Sequence, residues 1–186
     1  MREGKVSVDD AHAQLVDLPF TELGFATIDN HRPLRGGFPE VVWGLHKTAE
    51  QIAGIVKAMR KKPGVVMVTR ISDEKAVACK EVAPEGVHYP DARMFVIPRK
   101  VKKIGRIAVV TAGTSDFRVA EEAAVTASSL GAEVLRINDV GVAGVHRLLK
   151  RRADIASAKV AVVIAGMEGA LPTTVGGLVG IPIVAV

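Results

Sequence analysis

The feature that most constrains the fold is a regular alternation of short apolar runs and helix-forming stretches in the second half of the chain. The apolar runs cover residues 107–110, 133–138, 159–165 and 181–186. Helical patterns separate them at residues 116–130, 142–151 and 171–179. Strands that alternate with helices indicate a parallel sheet covered on both faces. The sequence therefore predicts an α/β fold, a doubly wound parallel sheet of three layers.

The first half predicts a smaller α/β domain, residues 1–103, and the second domain then spans residues 104–186. We place the boundary at the basic stretch that ends near Lys103. The clearest element is a helix at residues 48–60, which begins with the capping box Thr48 and Gln51. Further patterns predict an amphipathic segment at 8–18, strands at 65–71 and 94–97, and a short helix at 73–80.

Composition excludes several classes of protein. No apolar run approaches the length of a membrane span, and the first twenty residues lack the apolar core of a signal peptide. The single cysteine excludes an intrachain disulfide framework and indicates a reducing, cytoplasmic setting. Although the net charge is +5, aromatic residues make up 4% of the chain and do not interleave with the basic ones. We therefore expect no membrane and no nucleic-acid partner.

The ends of the predicted parallel strands supply three loops rich in small residues. The first loop is Thr111 to Asp116, the second is Asp139 to His146, and the third is Gly166 to Pro172. Loops at the carboxyl ends of parallel strands meet in one crevice, where backbone N–H groups suit a phosphate or another anion. The first loop lacks both the dinucleotide glycine fingerprint and a P-loop lysine. Pattern alone therefore supports a nucleotide site and an ordinary tight turn equally.

Charged residues cluster near the start of the chain. Asp29, Arg32 and Arg35 lie within seven residues and precede the turn Gly36-Gly37. Two arginines beside a glycine turn can present planar donors to a carboxylate or phosphate. A surface turn with an Asp–Arg ion pair explains the same pattern and is favoured on sequence alone.

Three further side chains have two interpretations each. His146 is either an acid or base at the crevice or the polar edge of a helix. Glu168 lies between Gly166 and Gly169 in the third loop. It either contacts a ligand or caps the next helix. Cys79 has apolar neighbours, which favours a small buried hydrophobe over a reactive thiol.

Three stretches together resemble a known family. They are DNHRPLRGGFPEVVWGLHKT, TAGTSDFRVAEEAAVTASSLGAEVLRINDVGVAGVHRLL and VVIAGMEGALPTTVGGLVGIPIVAV. The chain resembles the aminoimidazole ribonucleotide carboxylase family, with a flavodoxin-like second domain. It is most similar to the branch that makes the nickel-pincer cofactor of lactate racemase, the pyridinium-3,5-biscarboxylic acid mononucleotide synthases. The first stretch is similar to that branch's amino-terminal motif, which the purine carboxylases lack.

The resemblance implies an enzyme that carboxylates the pyridinium ring of nicotinic acid adenine dinucleotide and hydrolyses its phosphoanhydride, with release of AMP. It implies CO2 or bicarbonate as co-substrate, Mg2+ as cofactor and a homo-oligomer. By this resemblance, Glu168 and His146 would be catalytic. The substrate-binding residues that it implies are Thr111, Gly113, Thr114, Ser115, Asp116, Gly166, Gly169, Asp29, Arg32 and Arg35.

The sequence departs from that branch in one respect. The branch's nucleophile is a cysteine beyond the segment that corresponds to GIPIVAV, whereas this sequence stops at Val186. Cys79 lies in the wrong half to replace it. We therefore expect a longer gene product, which an intact-mass measurement would test against 19.6 kDa. Two alternatives stay open at this stage: a non-catalytic nucleotide-binding fragment, and a carboxylase or mutase acting on a purine ribonucleotide.

Overall fold

The computed structural model describes residues 7–10, 12 and 19–186. The predicted amphipathic segment at residues 8–18 therefore lies largely outside the described residues. The described part begins with a two-stranded antiparallel ribbon of β1 (Phe20–Glu22) and β2 (Thr27–Asp29). A short helix, α1 (Arg32–Gly36), follows and ends at Gly37 in the left-handed conformation. The predicted turn at Gly36-Gly37 is thus the end of a helix.

The first four-stranded sheet is mixed. Its strand order is β3 (Val41–Trp43), β4 (Val66–Thr69), β6 (Met94–Ile97) and β5 (Val87–Tyr89). The strands β3 and β4 are parallel and are joined by α2 (Ala49–Met59), which keeps the predicted capping box. After α3 (Asp73–Val82), β5 and β6 pair antiparallel, and β6 runs antiparallel to β4.

Alternate residues of this sheet face opposite sides. Val66, Val68 and Phe95 pack against α2 and α3 in one core cluster. Met67 and Met94 point to the other face and belong to a separate cluster. Strands that are buried on both faces have continuous apolar sequences, which is why they could be predicted from the chain.

The second four-stranded sheet is wholly parallel, in the order β10, β9, β7, β8. Its elements alternate along the chain, as predicted, and confirm a three-layer α/β arrangement. They are β7 (Gly105–Thr111), α4 (Phe117–Ser129), β8 (Ala132–Ile137), α5 (Val145–Ala156), β9 (Val160–Ile164), α6 (Ala170–Leu178) and β10 (Ile183–Ala185).

Helices cover both faces of the parallel sheet. Leu148 of α5 and Leu171 of α6 pack on one face in a cluster with Val110 and Val163. On the other face, Ala120 and Ala124 of α4 belong to a cluster with strand residues of β7 and β9. The first loop runs directly into α4, so this packing fixes the helix that follows the loop.

The helix α4 also contacts the first sheet. Val125 is buried in the cluster that contains Met67 and Met94. The Thr126 hydroxyl oxygen lies 3.7 Å from the Met94 sulfur. Beside them, the Arg70 Nε lies 2.9 Å from a Glu122 carboxylate oxygen. One helix therefore serves as a layer for both sheets.

Candidate functional site

The three loops at the carboxyl ends of the parallel strands are bonded to one another through their backbones. Ala112 N–H donates to the Ile164 carbonyl at 3.1 Å, which ties the first loop to the end of β9. Gly141 N–H donates to the Ala112 carbonyl at 2.9 Å, which ties the second loop to the first. A Cβ at Gly141 would lie 2.8 Å from that carbonyl oxygen, so glycine permits the close approach. The loops therefore form one connected edge.

Thr111 anchors the second loop from inside. Thr111 is 1% exposed, and its Oγ1 accepts a hydrogen bond from Asp139 N–H at 3.1 Å. Its carbonyl accepts a second hydrogen bond from Val140 N–H at 3.0 Å. Because Thr111 is buried and its hydroxyl already accepts a hydrogen bond from the second loop, it shapes the loop and does not face solvent.

Asp116 joins the first and third loops. Its Oδ2 accepts from Gly113 N–H at 2.9 Å, and its Oδ1 accepts from Gly166 N–H at 3.3 Å. The neighbouring Thr114 and Ser115 are exposed in a 3-10 turn that leads into α4. This edge therefore exposes two hydroxyl side chains to solvent, beside a carboxylate that accepts hydrogen bonds from backbone N–H groups.

Glu168 lies at the tip of a tight turn in the third loop. Gly169 N–H donates to the Gly166 carbonyl at 3.1 Å and closes the turn. Gly169 and Met167 both have left-handed backbone conformations, with φ of 64° and 55°. A non-glycine residue rarely adopts this conformation, and such residues cluster at functional sites. Glu168 itself is exposed.

His146 lies in the first turn of α5 and is exposed. The adjacent Arg147 forms an ion pair with Asp139, in which its Nη1 lies 2.5 Å from the carboxylate Oδ2. The sequence does not indicate this pair, because a separation of eight positions is not a recognisable spacing. Asp139 does follow a strand end, and its left-handed backbone, with φ of 58°, is a feature of structure alone.

The amino-terminal cluster forms a second polar site. The Arg35 Nη2 lies 2.6 Å from Asp29 Oδ2, and Asp29 N–H donates to a Glu40 carboxylate oxygen at 2.6 Å. The hydrogen bond from Arg35 is the main cause of a lowered pKa for Asp29. A cavity of about 440 Å³ lies beside the pair, lined by Pro19, Phe20, Thr27, Asp29, His31 and Arg35.

The ion pair predicted for this cluster is present, and Arg32 is exposed beside it. Glu40 was overlooked as a partner because its role depends on a contact made eleven residues away. In the part of the chain that the structure describes, no hydrogen bond or ion pair joins Asp29, Arg32 or Arg35 to the three loops. The predicted site residues thus form two groups.

Cys79 is fully buried on α3, and burial raises the pKa of its thiol to about 11. A thiol with this pKa is not a nucleophile near neutral pH, which confirms the interpretation of Cys79 as a buried hydrophobe. Among the described residues, no three His, Cys, Asp or Glu side chains are grouped so that they could hold a metal ion. Likewise, no helix described here has the length and apolarity needed to cross a bilayer.

Two comparisons with known proteins identify relatives of the chain. Residues 20–100, which include the amino-terminal cluster and the first sheet, match the LarB/PurE-like N-terminal domain. The whole chain is 35% identical to the uncharacterized protein MJ0165 of Methanocaldococcus jannaschii over 198 aligned positions, which cover 77% of that protein. The domain match indicates an enzyme of the carboxylase type. Taken together, the two matches show that the chain belongs to the LarB/PurE-like family.

Proposed function

We propose that the protein carboxylates the pyridinium ring of nicotinic acid adenine dinucleotide and hydrolyses its phosphoanhydride with release of AMP, in nickel-pincer cofactor biosynthesis. The observation that carries the proposal is the match of residues 20–100 to the LarB/PurE-like N-terminal domain. The purine carboxylases that the second domain resembles lack such a domain. This favours the nickel-pincer branch over a purine ribonucleotide as substrate.

The exposed residues at the edge formed by the three loops support a phosphate-containing ligand. Thr114 and Ser115 are exposed immediately before α4, whose amino terminus carries a partial positive charge. The Arg147 guanidinium lies at the same edge, and the arginine side chain is 40% exposed. Donors of these kinds bind the phosphate and ribose groups of nucleotides.

The chemistry needs a temporary nucleophile and a base. A pyridinium ring is too electron-poor to attack CO2, but a nucleophile added to the ring turns it into an enamine that can form the new carbon–carbon bond. A base then removes the ring proton, the nucleophile leaves and the ring regains aromaticity. We propose Glu168 as this base, because its carboxylate is exposed at the tip of a turn fixed to the crevice. His146, exposed in the first turn of α5, is proposed as a proton carrier.

The amino-terminal cluster is proposed to contact the anionic dinucleotide. Arg35 is already bonded to Asp29, so Arg32 is the guanidinium that the described contacts leave available. Because no ion pair links this cluster to the crevice within the described residues, a homo-oligomer in which one subunit's cluster faces another's crevice is part of the proposal.

The described side chains do not form a metal cage, so they do not fit a resident metal held by the protein alone. Mg2+ commonly binds through one or two carboxylates together with substrate phosphates. We therefore assign it no ligand among these residues and derive no step from it.

The decisive experiment is incubation of the purified protein, its intact mass recorded, with the dinucleotide, bicarbonate and Mg2+. Mass spectrometry should detect a carboxylated mononucleotide and equimolar AMP. A parallel incubation with aminoimidazole ribonucleotide should give no product. Turnover of the purine precursor alone, or binding of the dinucleotide with no turnover, would contradict the proposal.

Glu168→Gln tests the proposed base. We expect kcat to fall by about 10²- to 10⁴-fold, the usual contribution of general acid–base catalysis, while the dinucleotide Kd changes little. Cys79→Ala is the matched control, since a buried thiol with a pKa near 11 has no part in the chemistry. Equal activity of Glu168→Gln and the wild type would remove Glu168 from the mechanism.

A further inference from the structure

Asp116 bonds to the protein backbone through both of its carboxylate oxygens, which binding a substrate does not require. Its two carboxylate oxygens accept from backbone N–H groups of two different loops, Gly113 in the first and Gly166 in the third. The first bond is local, spanning three residues, whereas the second joins residues fifty positions apart. The carboxylate therefore links two segments that the chain itself does not connect closely.

The second bond reaches the turn that presents Glu168. Gly166 supplies the carbonyl that closes this turn with Gly169 N–H. Met167 in the same turn is wholly exposed and has a left-handed backbone. A conformation of this kind persists only where surrounding contacts hold it, and Met167 has no buried surface to supply them. The hydrogen bond from Gly166 N–H to Asp116 is a contact that can hold Met167 in this conformation.

We propose that Asp116 is a positioning residue that clamps the third loop to the first and thereby fixes the location of Glu168. On this assignment its carboxylate serves the protein backbone, in place of the substrate contact that the family resemblance implies. Only the link to Glu168 rests on the proposed function. The clamp itself can be tested in the free protein.

The test is amide hydrogen exchange, resolved by residue with NMR, in the protein without ligand. In Asp116→Ala both acceptors are lost, so we expect exchange at Gly113 and Gly166 to accelerate about tenfold or more, the loss of a charge-assisted hydrogen bond. Exchange at Ala161 in β9 should not change. The control Asp154→Ala removes an exposed carboxylate that pairs with Arg151 on α5 and should leave both loop amides unaffected.

Asp116→Asn keeps the size of the side chain and serves as a second variant should the alanine variant not fold. An amide has a single oxygen acceptor, and its NH2 group would face the remaining N–H donor. One of the two glycine amides should therefore exchange faster while the other stays protected. Unchanged exchange at both in this variant, or at Gly166 in Asp116→Ala, would overturn the clamp.

Ligand measurements separate positioning from direct contact. A clamp predicts that Asp116→Ala lowers kcat for the dinucleotide more than it raises Kd, because the base is displaced while the binding groups stay. Loss of binding with unchanged exchange at Gly166 would instead make Asp116 a substrate ligand and overturn the inference. If the wild type neither binds nor converts the dinucleotide, the proposed function fails, and the exchange result still decides the clamp.

Discussion

The two four-stranded sheets are built from similar apolar strands but differ in strand direction, and this difference decides where the loops converge. In the second sheet all strands are parallel, so three strand ends deliver loops to one edge. In the first sheet β3, β4 and β5 run in one direction, while β6 runs the opposite way between β4 and β5. Its loops are therefore divided between two edges. A convergent site needs the parallel arrangement.

The sheets also differ in what covers them. Both faces of the second sheet are packed by helices of its own half. The first sheet has its own helices on one face, and its other face packs against Val125 of α4. The first sheet thus depends on the second half for part of its core.

The largest effect is expected from Val125→Asp, because Val125 is 2% exposed beneath the first sheet. An unpaired buried carboxylate there should lower the free energy of unfolding by about 3–5 kcal/mol. Denaturant unfolding measures the loss. The same substitution at Val77, which is 61% exposed on α3, should change stability by no more than about 0.5 kcal/mol. Similar effects at both positions would mean that α4 does not support the first sheet.

A smaller loss is expected from Thr111→Val at the edge of the second sheet. The substitution keeps the shape but removes the acceptor for Asp139 N–H, so stability should fall by about 1 kcal/mol. The control is Thr174→Val, whose hydroxyl donates to the Ala170 carbonyl within α6. That loss should be smaller, since such a hydroxyl contact adds little to helix stability. Equal losses in thermal unfolding would refute a special role for Thr111 in joining the loops.

The ion pair between the halves should contribute little. Arg70 and Glu122 are 2.9 Å apart, but the arginine side chain is 45% exposed, so water and salt weaken the attraction. A double-mutant cycle with Arg70→Ala and Glu122→Ala should give a coupling of about 0.2–1 kcal/mol. Both Arg and Ala carry a Cβ, so the left-handed backbone at residue 70 affects the two alike. The pair Arg106 and Glu133, within the second sheet, is the matched cycle. A coupling several times larger for Arg70 would show that ion pairing dominates the contact between the halves.

The smallest effect concerns Asp29, whose pKa is lowered chiefly by the hydrogen bond from Arg35. Arg35→Gln should raise that pKa toward the ordinary value of an aspartate, as measured by an NMR titration. Because the pKa is lowered in the folded state, the stabilisation is complete above the ordinary aspartate value. It is lost as the pH falls through the lowered one. Arg32→Gln removes an equal charge without this hydrogen bond. If both variants raise the pKa of Asp29 equally, the nearby positive charge lowers that pKa and the hydrogen bond from Arg35 does not.

Local patterns were enough to predict most of the second half. The strands β7 and β9 and the helices between them follow from apolar runs and helical spacing, because both faces of that sheet are buried. The first half was harder. The antiparallel pairing of β5 with β6 has no signature, since β5 is three residues long, and α1 was predicted as a turn at its final glycines.

In the candidate site, too, the sequence indicated some features and missed others. Sequence indicated the three loops and the residues Asp116, His146 and Glu168, because strand ends and glycines can be located without knowing contacts. It did not indicate that Asp139 pairs with Arg147, or that Asp116 accepts from Gly166. These contacts depend on which strands become neighbours.

The sequence by itself determined the alternation of strands and helices, the buried state of Cys79 and the ion pair between Asp29 and a nearby arginine. Those properties depend on periodicity and composition over short stretches. Only the tertiary structure decided that α4 forms a layer for both sheets and that the first and third loops share one carboxylate. Such contacts join residues far apart in the chain, and their energies become available only when the sheets have assembled.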